Sequence, residues 1–270
     1  MSMYDATFFS DPAVHVPVKR HFFRFWIRRS GRRAARILVP SAATAGELTR
    51  FAGIPADRMR VAHLGVDAQT FHPVDAAARA EVAARIGHDA WIAFLGTLEP
   101  RKNLPALVRA HAELARVRAD AGLTTPVLAL AGGKGWETGL EAAIDETGSR
   151  DRVLLLGYLP VGELAAFLGG SVVTVYPSLG EGFGLPVLEA MACGAAVLTT
   201  PRLSLPEVGG DAVAYSEPDA DALAAELGRL LDDPAERARL GAAALRRAAG
   251  FTWEATARAQ RAAYEEAADA

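Results

Sequence analysis

The nine residues Glu181-Gly-Phe-Gly-Leu-Pro-Val-Leu-Glu189 place a carboxylate at each end of a glycine-interrupted turn. They follow the apolar run SVVTVY and open a stretch with helical spacing. Gly182 and Gly184 let a backbone approach a ligand closely, and Pro186 suits the first turn of a helix. The N–H groups at such a helix start, from Phe183 to Leu185, point outward and attract anions, phosphate above all. Glu189, one turn further in, would repel a phosphate at close range and is better suited to accept hydrogen bonds from hydroxyls such as a ribose diol. Glu181, before the turn, is placed to accept from another part of the same ligand. Hydroxyls at both ends with a diphosphate between them describe a nucleotide sugar. The plainer alternative is a helix-capping glutamate beside a surface glutamate.

The stretch GTLEPRKN supplies complementary charge. Gly96 and Thr97 end one apolar run, and Arg101 and Lys102 stand just before the next helical stretch. Arg gives a bidentate fork and Lys a point charge, both suited to a diphosphate leaving group. Two cations and a helix start supply the positive charge that a divalent metal supplies elsewhere. The six histidines have no ligand-like spacing, so neither a catalytic metal nor a cofactor is expected. AGGKGW (131–136) lacks the G-x-x-x-x-G-K-[ST] spacing of a phosphate loop, and its glycines are expected to keep a crevice open. Gly157 and Tyr158 of GYLP end another strand. That loop is expected to present backbone groups to a nucleobase, with Leu159 covering its face. Cys193 reads as a small buried apolar residue, and Trp136, Trp253 and Tyr264 as packing anchors.

These loops need a frame. From residue 91 onward apolar runs alternate with helical spacings: WIAFLG, PVLALAGG, RVLLLGYL, SVVTVYPS and AAVLTT are each followed by a helical stretch, and AVAYS is a sixth run. Short buried strands alternating with helices predict an α/β fold, a Rossmann-like parallel sheet with helices on both faces. Ligands of such sheets bind beyond the carboxyl ends of the strands, where all of these loops fall. DADALAAELGRLLDD, PAERARLGAAALRRAAG and FTWEATARAQRAAYEEA read as three closing helices. Upstream, ILVP and MRVAHL read as strands flanking the helix SAATAGELTRFAG, with Ser41 as its cap and Gly53 as its end. Residues 74–90 read as a linker with an alanine-rich helix.

At 270 residues, 51% hydrophobic and 23% charged, the chain has the material for a sizeable core. A single cysteine excludes an internal disulfide. No apolar run approaches the roughly 18 residues that span a bilayer, and MSMYDATFFSDP lacks the pattern of a signal peptide. A cytoplasmic location is therefore expected. Charge is uneven: residues 1–75 carry 11 Lys and Arg against 6 Asp and Glu, and the remainder 18 against 26. The acidic remainder argues against nucleic acid as a partner. The basic stretch KRHFFRFWIRRSGRRAAR, residues 19–36, has two readings. It lies on an anionic membrane, at the inner face of the cell, or it is an ordinary surface helix with its apolar stripe packed on a domain.

GTLEPRKNLPALVRA, the GYLP loop and YPSLGEGFGLPVLEAMACGAAVLTT together resemble the nucleotide-binding half of retaining glycosyltransferases of family 4, which have the GT-B fold. The E-x7-E pattern of that family is present as Glu181 and Glu189. The resemblance implies that Glu181 contacts the donor sugar and supports charge developing at its anomeric carbon, and that Glu189 holds the ribose. It implies further that Arg101, Lys102 and the amides around Gly182, Phe183, Gly184 and Leu185 hold the diphosphate. Thr97 stands where the family often has a further arginine. The PRKN loop is most similar to mannosyltransferases using GDP-mannose, so the implied activity is transfer of a hexose, mannose first, to a glycan or lipid acceptor with retention. Residues 1–73 resemble the end of the family's first, acceptor-binding domain, with Tyr4-Asp5 where relatives often read His-Asp and Leu64 in place of the usual Asn of the N-G-V-D turn. Residues 74–250 correspond to the donor-binding domain, and 251–270 to a terminal helix that crosses back. Most of the acceptor domain is expected to be missing. A non-catalytic nucleotide-sugar-binding protein, or another GT-B enzyme such as an epimerase or a phosphorylase, is the alternative.

Overall fold

A computed structural model describes residues 1–6, 9 and 17–269, with the side chains of 17–20 outside the description. The alternating pattern folds as its periodicity requires. The strands are β3 (Trp91–Leu95), β4 (Val127–Ala131), β5 (Val153–Gly157), β6 (Val173–Tyr176), β7 (Val197–Thr199) and β8 (Ala214–Tyr215). They form one parallel sheet in the order β5-β4-β3-β6-β7-β8. Trp91, Ile92, Phe94, Leu128, Leu130, Val173 and Val175 are fully buried or nearly so, as strands covered on both faces must be.

Two earlier strands, β1 (Ile37–Val39) and β2 (Met59–Val61), pair in parallel to form a separate small sheet. Ser2 bridges to Leu38 along its edge. This sheet has its own apolar cluster, which includes Met3, Ile37, Val39, Leu48, Ile54 and Met59.

The helices are α1 (Pro17–Arg33), α2 (Ala42–Glu47), α3 (Ala76–Ile86), α4 (Leu104–Asp120), α5 (Leu140–Thr147), α6 (Val161–Gly169), α7 (Leu185–Ala192), α8 (Leu205–Gly209), α9 (Ala220–Asp232), α10 (Pro234–Ala248) and α11 (Trp253–Ala268). Helix α4 packs with α5 and α9, while α6 packs with α3 and α7, and α7 with α10. The two groups cover the large sheet, and Trp91 Nε1 donates to Phe167 O at 2.9 Å to tie α6 to β3. As expected, Ser41 caps α2 by accepting from Thr44 N. That helix runs on through a π turn to Gly53, which holds the left-handed conformation at φ 68°. Helix α11 packs on β1 and β2, where Glu266 pairs with Arg36 at 2.9 Å and Arg60 at 2.6 Å.

Helix α1 departs from the packed reading of the basic stretch. Phe22 (57% exposed), Phe25 (58%) and Trp26 (46%) face solvent. The apolar contact with the body runs through Ile27 and Gly31, Gly31 so closely that a Cβ there would stand 2.4 Å from Ile54 Cδ1, while Arg28 donates to Phe51 O at 3.0 Å. Gly31 lies four positions, about one turn, beyond Ile27, so the buried apolar stripe is narrow and Phe22, Phe25 and Trp26 lie outside it. Trp136, Trp253 and Tyr264 are likewise exposed, not anchors; each sits on a loop or an outward helix face with no layer above it. Cys193 is buried, as expected, and its thiol is pushed up to about 12 by that burial.

Candidate functional site: a glycine turn at the sheet crossover

The strand order reverses between β3 and β6, so the loops that follow these two strands leave the sheet side by side. This is where a doubly wound sheet forms its ligand crevice. The loop after β3 carries Gly96, Thr97, Arg101 and Lys102; the loop after β6 carries Glu181 and the glycine turn. The two are paired directly, with Leu179 N donating to Arg101 O at 2.9 Å. Asn103, held left-handed at φ 55°, donates through Nδ2 to Pro218 O at 2.6 Å and ties in the loop after β8.

Glu181 is buried among donors. Lys102 Nζ donates to its Oε1 at 2.7 Å, Ser178 Oγ donates to the same oxygen at 2.8 Å, and Arg101 donates to Oε2. Arg101 also donates to Glu99 Oε1 at 2.5 Å and to Gly180 O at 3.0 Å. Burial pushes the Glu181 carboxyl up, but Lys102 and Arg101 outweigh it and hold it below the usual range. Burial likewise pulls the Arg101 guanidinium down, and Glu181 and Glu99 more than restore it. Arg101 and Lys102 from one loop and Glu181 from another therefore form one ion cluster.

Glu189, one turn into α7, is a different case. No described residue hydrogen-bonds to its carboxylate. Burial raises it to about 7, against a smaller downward pull from Lys102. Below it, the hydroxyl of Tyr176 is fully buried and without a hydrogen-bond partner, and it titrates well above 10.0 through burial and the neighbouring Glu189. A half-buried carboxylate with unfilled acceptor capacity is a group that a hydroxyl-bearing ligand would satisfy.

The glycines have a more specific cause than ligand approach. A Cβ at Gly182 would stand 2.3 Å from Tyr4 O and 2.8 Å from Asp5 Cβ, so the first residues of the chain occupy that side of the turn. Gly184 has φ 104° at the cap of α7, a conformation that side chains resist. Among the described residues no acceptor meets the N–H groups of Gly182, Phe183 or Gly184. Phe183 is buried against His63 and Phe251, with ring centroids 6.0 Å away in each case.

The remaining predicted residues fall at the margins. The loop AGGKGW does not keep the crevice open. It is laid on the segment 96–98, with Leu98 N donating to Gly133 O at 3.0 Å and Glu137 N donating to Leu98 O at 3.1 Å, because β3 and β4 are neighbours and their loops emerge together. Gly157 ends β5, where Gly132 N donates to Gly157 O at 2.7 Å. Leu159 is half-buried against the main core, and Tyr158 is the exposed residue of that loop, at 85%. An Asp-x-Asp triplet that sequence reasoning did not single out, Asp219-Ala220-Asp221, opens α9, where Asp219 serves as the cap by accepting from Ala222 N at 2.9 Å.

Sequence reasoning missed the hydroxyls under the turn. Ser204 Oγ lies 2.7 Å from Glu181 O and 2.8 Å from Phe183 O. It follows Leu203, held left-handed at φ 49°, a strain of about 1–3 kcal/mol of the kind that gathers at functional sites. Ser41 and Thr44 reach the turn from the small-sheet side. Glu207 reaches the opposite way, its carboxylate accepting from Ala42 N at 2.9 Å and standing 2.6 Å from His63 Nε2. No pattern of spacing in the sequence marks these residues, because each acts across more than twenty positions of chain.

The profile of glycosyl transferases group 1 matches residues 80–247, and that of Glycosyltransferase Family 4 matches residues 9–70. The chain is 32% identical to an O-antigen chain mannosyltransferase B of Escherichia coli, over 94% of this chain and 66% of that protein. It is 36% identical to an MMP alpha-(1->4)-mannosyltransferase of Mycolicibacterium hassiacum, over 93% of this chain and 59% of that protein. The chain thus spans between about half and two thirds of the length of the curated relatives it matches. Among solved structures, a sucrose-phosphate synthase from Thermosynechococcus elongatus superposes with a TM-score of 0.73 at 26% identity, covering 89% of this chain and 61% of that one. The crossover-point cluster, the parallel sheet and these matches agree: the chain belongs to the group 1 glycosyltransferases, with the GT-B arrangement and a front segment of the glycosyltransferase family 4 type.

Proposed function

We propose that this chain binds a nucleotide diphosphate sugar, mannose being the first candidate through GDP-mannose, and is the donor-side part of a retaining hexosyltransferase acting on a glycan or lipid-linked acceptor. The observation that carries the reading is the open row of amides from Gly182 to Gly184, set between the Glu181–Arg101–Lys102 cluster and the unpartnered Glu189. The amides and the start of α7 receive the diphosphate. Glu189 accepts from the ribose hydroxyls, and Glu181 faces the sugar and stabilises charge at the anomeric carbon. Arg101 and Lys102 turn from Glu181 toward the leaving diphosphate as negative charge builds there. In this reading the positive charge comes from the protein, and transfer proceeds without a divalent metal, so EDTA leaves the rate unchanged. The mannosyltransferases among its relatives support the choice of sugar.

Calorimetric titration with GDP, UDP and GDP-mannose tests this. Glu189→Ala weakens nucleoside diphosphate binding by about tenfold or more. Glu181→Ala keeps that binding and abolishes transfer and donor hydrolysis. Equal affinity in both variants and the parent contradicts the assignment. Binding by the parent with no turnover on any donor favours the non-catalytic alternative.

The exposed face of α1 supports a second reading for residues 19–36, contact with an anionic membrane at the inner face of the cell. Phe22, Phe25 and Trp26 share the outward side of the helix with Arg29, Arg32 and Arg33, the mixture that sits at a charged lipid interface. Among the described residues no helix is long and apolar enough to cross a membrane. Flotation with anionic vesicles recovers the chain, Phe22→Ser/Trp26→Ser abolishes recovery, and equal recovery on zwitterionic vesicles refutes the charge-dependent contact.

A further inference from the structure

Two hydroxyls from the small-sheet side converge on one carbonyl of the donor turn. Ser41 Oγ donates to Gly182 O at 2.7 Å and Thr44 Oγ1 donates to the same oxygen at 2.9 Å. Both side chains are fully buried or nearly so, and together they fill both lone pairs of that carbonyl. The peptide linking Gly182 to Phe183 is trans, as all described peptides are. In a trans peptide the carbonyl and the following N–H point in opposite directions. Fixing Gly182 O toward α2 therefore aims the N–H of Phe183 away from it, on the side where no protein acceptor stands.

We infer that Ser41 and Thr44 are positioning residues for the donor: by holding the carbonyl of Gly182 they orient the Phe183 amide toward the ligand's diphosphate. This rests on the donor reading above. It adds that residues more than 130 positions before the turn, at the start of the helix beside the small sheet, complete the anion-binding surface. The turn has little else to hold this peptide. Gly182 has no side chain, and the single proton of Ser204 serves the carbonyls of Glu181 and Phe183, not that of Gly182. Without the two hydroxyls, a buried carbonyl loses its donors and the peptide is free to turn over.

Thr44 is the better probe, because Ser41 also caps α2 and its loss lowers stability for that reason alone. The experiment compares the parent with Thr44→Val, which keeps shape, and Thr44→Ser, which keeps the hydroxyl. It reads GDP and UDP affinity by calorimetry, and amide hydrogen exchange of the turn and the helix it opens, residues 183–192, in the ligand-free chain, where Leu188 N donates to Gly184 O. Thr44→Val is expected to bind nucleoside diphosphate about tenfold more weakly, the change that about 1.4 kcal/mol gives. It is also expected to exchange faster across the turn, and Thr44→Ser restores both. Parent-like affinity and exchange in a folded Thr44→Val overturn the inference. If the parent binds neither GDP nor UDP, the donor reading falls, and the exchange comparison alone decides whether the hydroxyls hold the turn.

Discussion

Lys102 Nζ stands 2.7 Å from Glu181 Oε1, and both groups are buried. Removing one partner of a buried pair leaves an uncompensated charge, which costs about 3–5 kcal/mol. Arg101 remains on the other oxygen of Glu181, so the smaller figure applies. Lys102→Met is expected to destabilise the chain by about 3 kcal/mol, read as a lowered urea midpoint with an unchanged slope. A midpoint equal to that of the parent would show that the pair contributes nothing.

Glu189 gives the chain a pH signature with the opposite sign from most carboxylates. Its pKa is 4.5 as a free side chain and about 7 in the fold. The folded state keeps the proton where the unfolded state has lost it, so this contribution to stability is full below pH 4.5 and is lost as pH rises to about 7. Glu189→Gln removes the dependence. Relative to the parent, the variant gains about 1–3 kcal/mol between pH 5 and pH 8, measured by urea denaturation at each pH. A constant difference across that range would refute the raised pKa.

Gly182→Ala tests whether the first residues of the chain belong on the turn. The added methyl would meet Tyr4 O at 2.3 Å, and backbone cannot yield as a flexible side chain does. Overpacking of this kind costs about 1–3 kcal/mol. The expected outcome is a lowered Tm together with protease cleavage near residue 5 at doses that leave the parent intact. A variant with the parent's Tm and cleavage pattern would place those residues elsewhere in solution.

Glu207→Gln probes the contact in the other direction. The carboxylate reaches from α8 to Ala42 N and His63 Nε2, and charged hydrogen bonds of this type contribute about 1.5–3 kcal/mol. The substitution keeps an acceptor for Ala42 but loses the charge opposite His63. It is expected to lower stability by about 1 kcal/mol, read as a lowered urea midpoint with an unchanged slope. A midpoint equal to that of the parent would show that the carboxylate contributes nothing across this contact.

The large sheet was legible because its strands are apolar throughout and separated by helices of regular period, so WIAFLG through AVAYS marked β3 to β8 in order. Arg101, Lys102 and Glu181 were legible as site residues because parallel sheets deliver their loops to one edge. Their mutual pairing was not, since a sequence does not show which charge meets which. The apolar residues of α1 misled for a related reason: clustering in sequence says nothing about how wide an apolar stripe the body offers, and here it reaches Ile27 and Gly31 but not Phe22, Phe25 or Trp26. Gly182 was read as room for a ligand because the alternative occupant, the backbone at Tyr4, lies 178 residues away. Ser41, Thr44 and Ser204 carry hydroxyls that suit any surface, and only their convergence on three successive carbonyls distinguishes them.

The pairing of Arg101 with both Glu99 and Glu181, and of Lys102 with Glu181, has a bearing on how an anion would be recognised. Two cations facing two carboxylates cancel, so from a distance the crevice presents almost no field. Electrostatic steering, which rises with net local charge and fades within about 8 Å at physiological salt, has little to act on. Capture by these cations must then be a matter of contact: Arg101 and Lys102 reward a phosphate only once it has displaced a carboxylate at close quarters, which favours ligands of the right shape over polyanions in general.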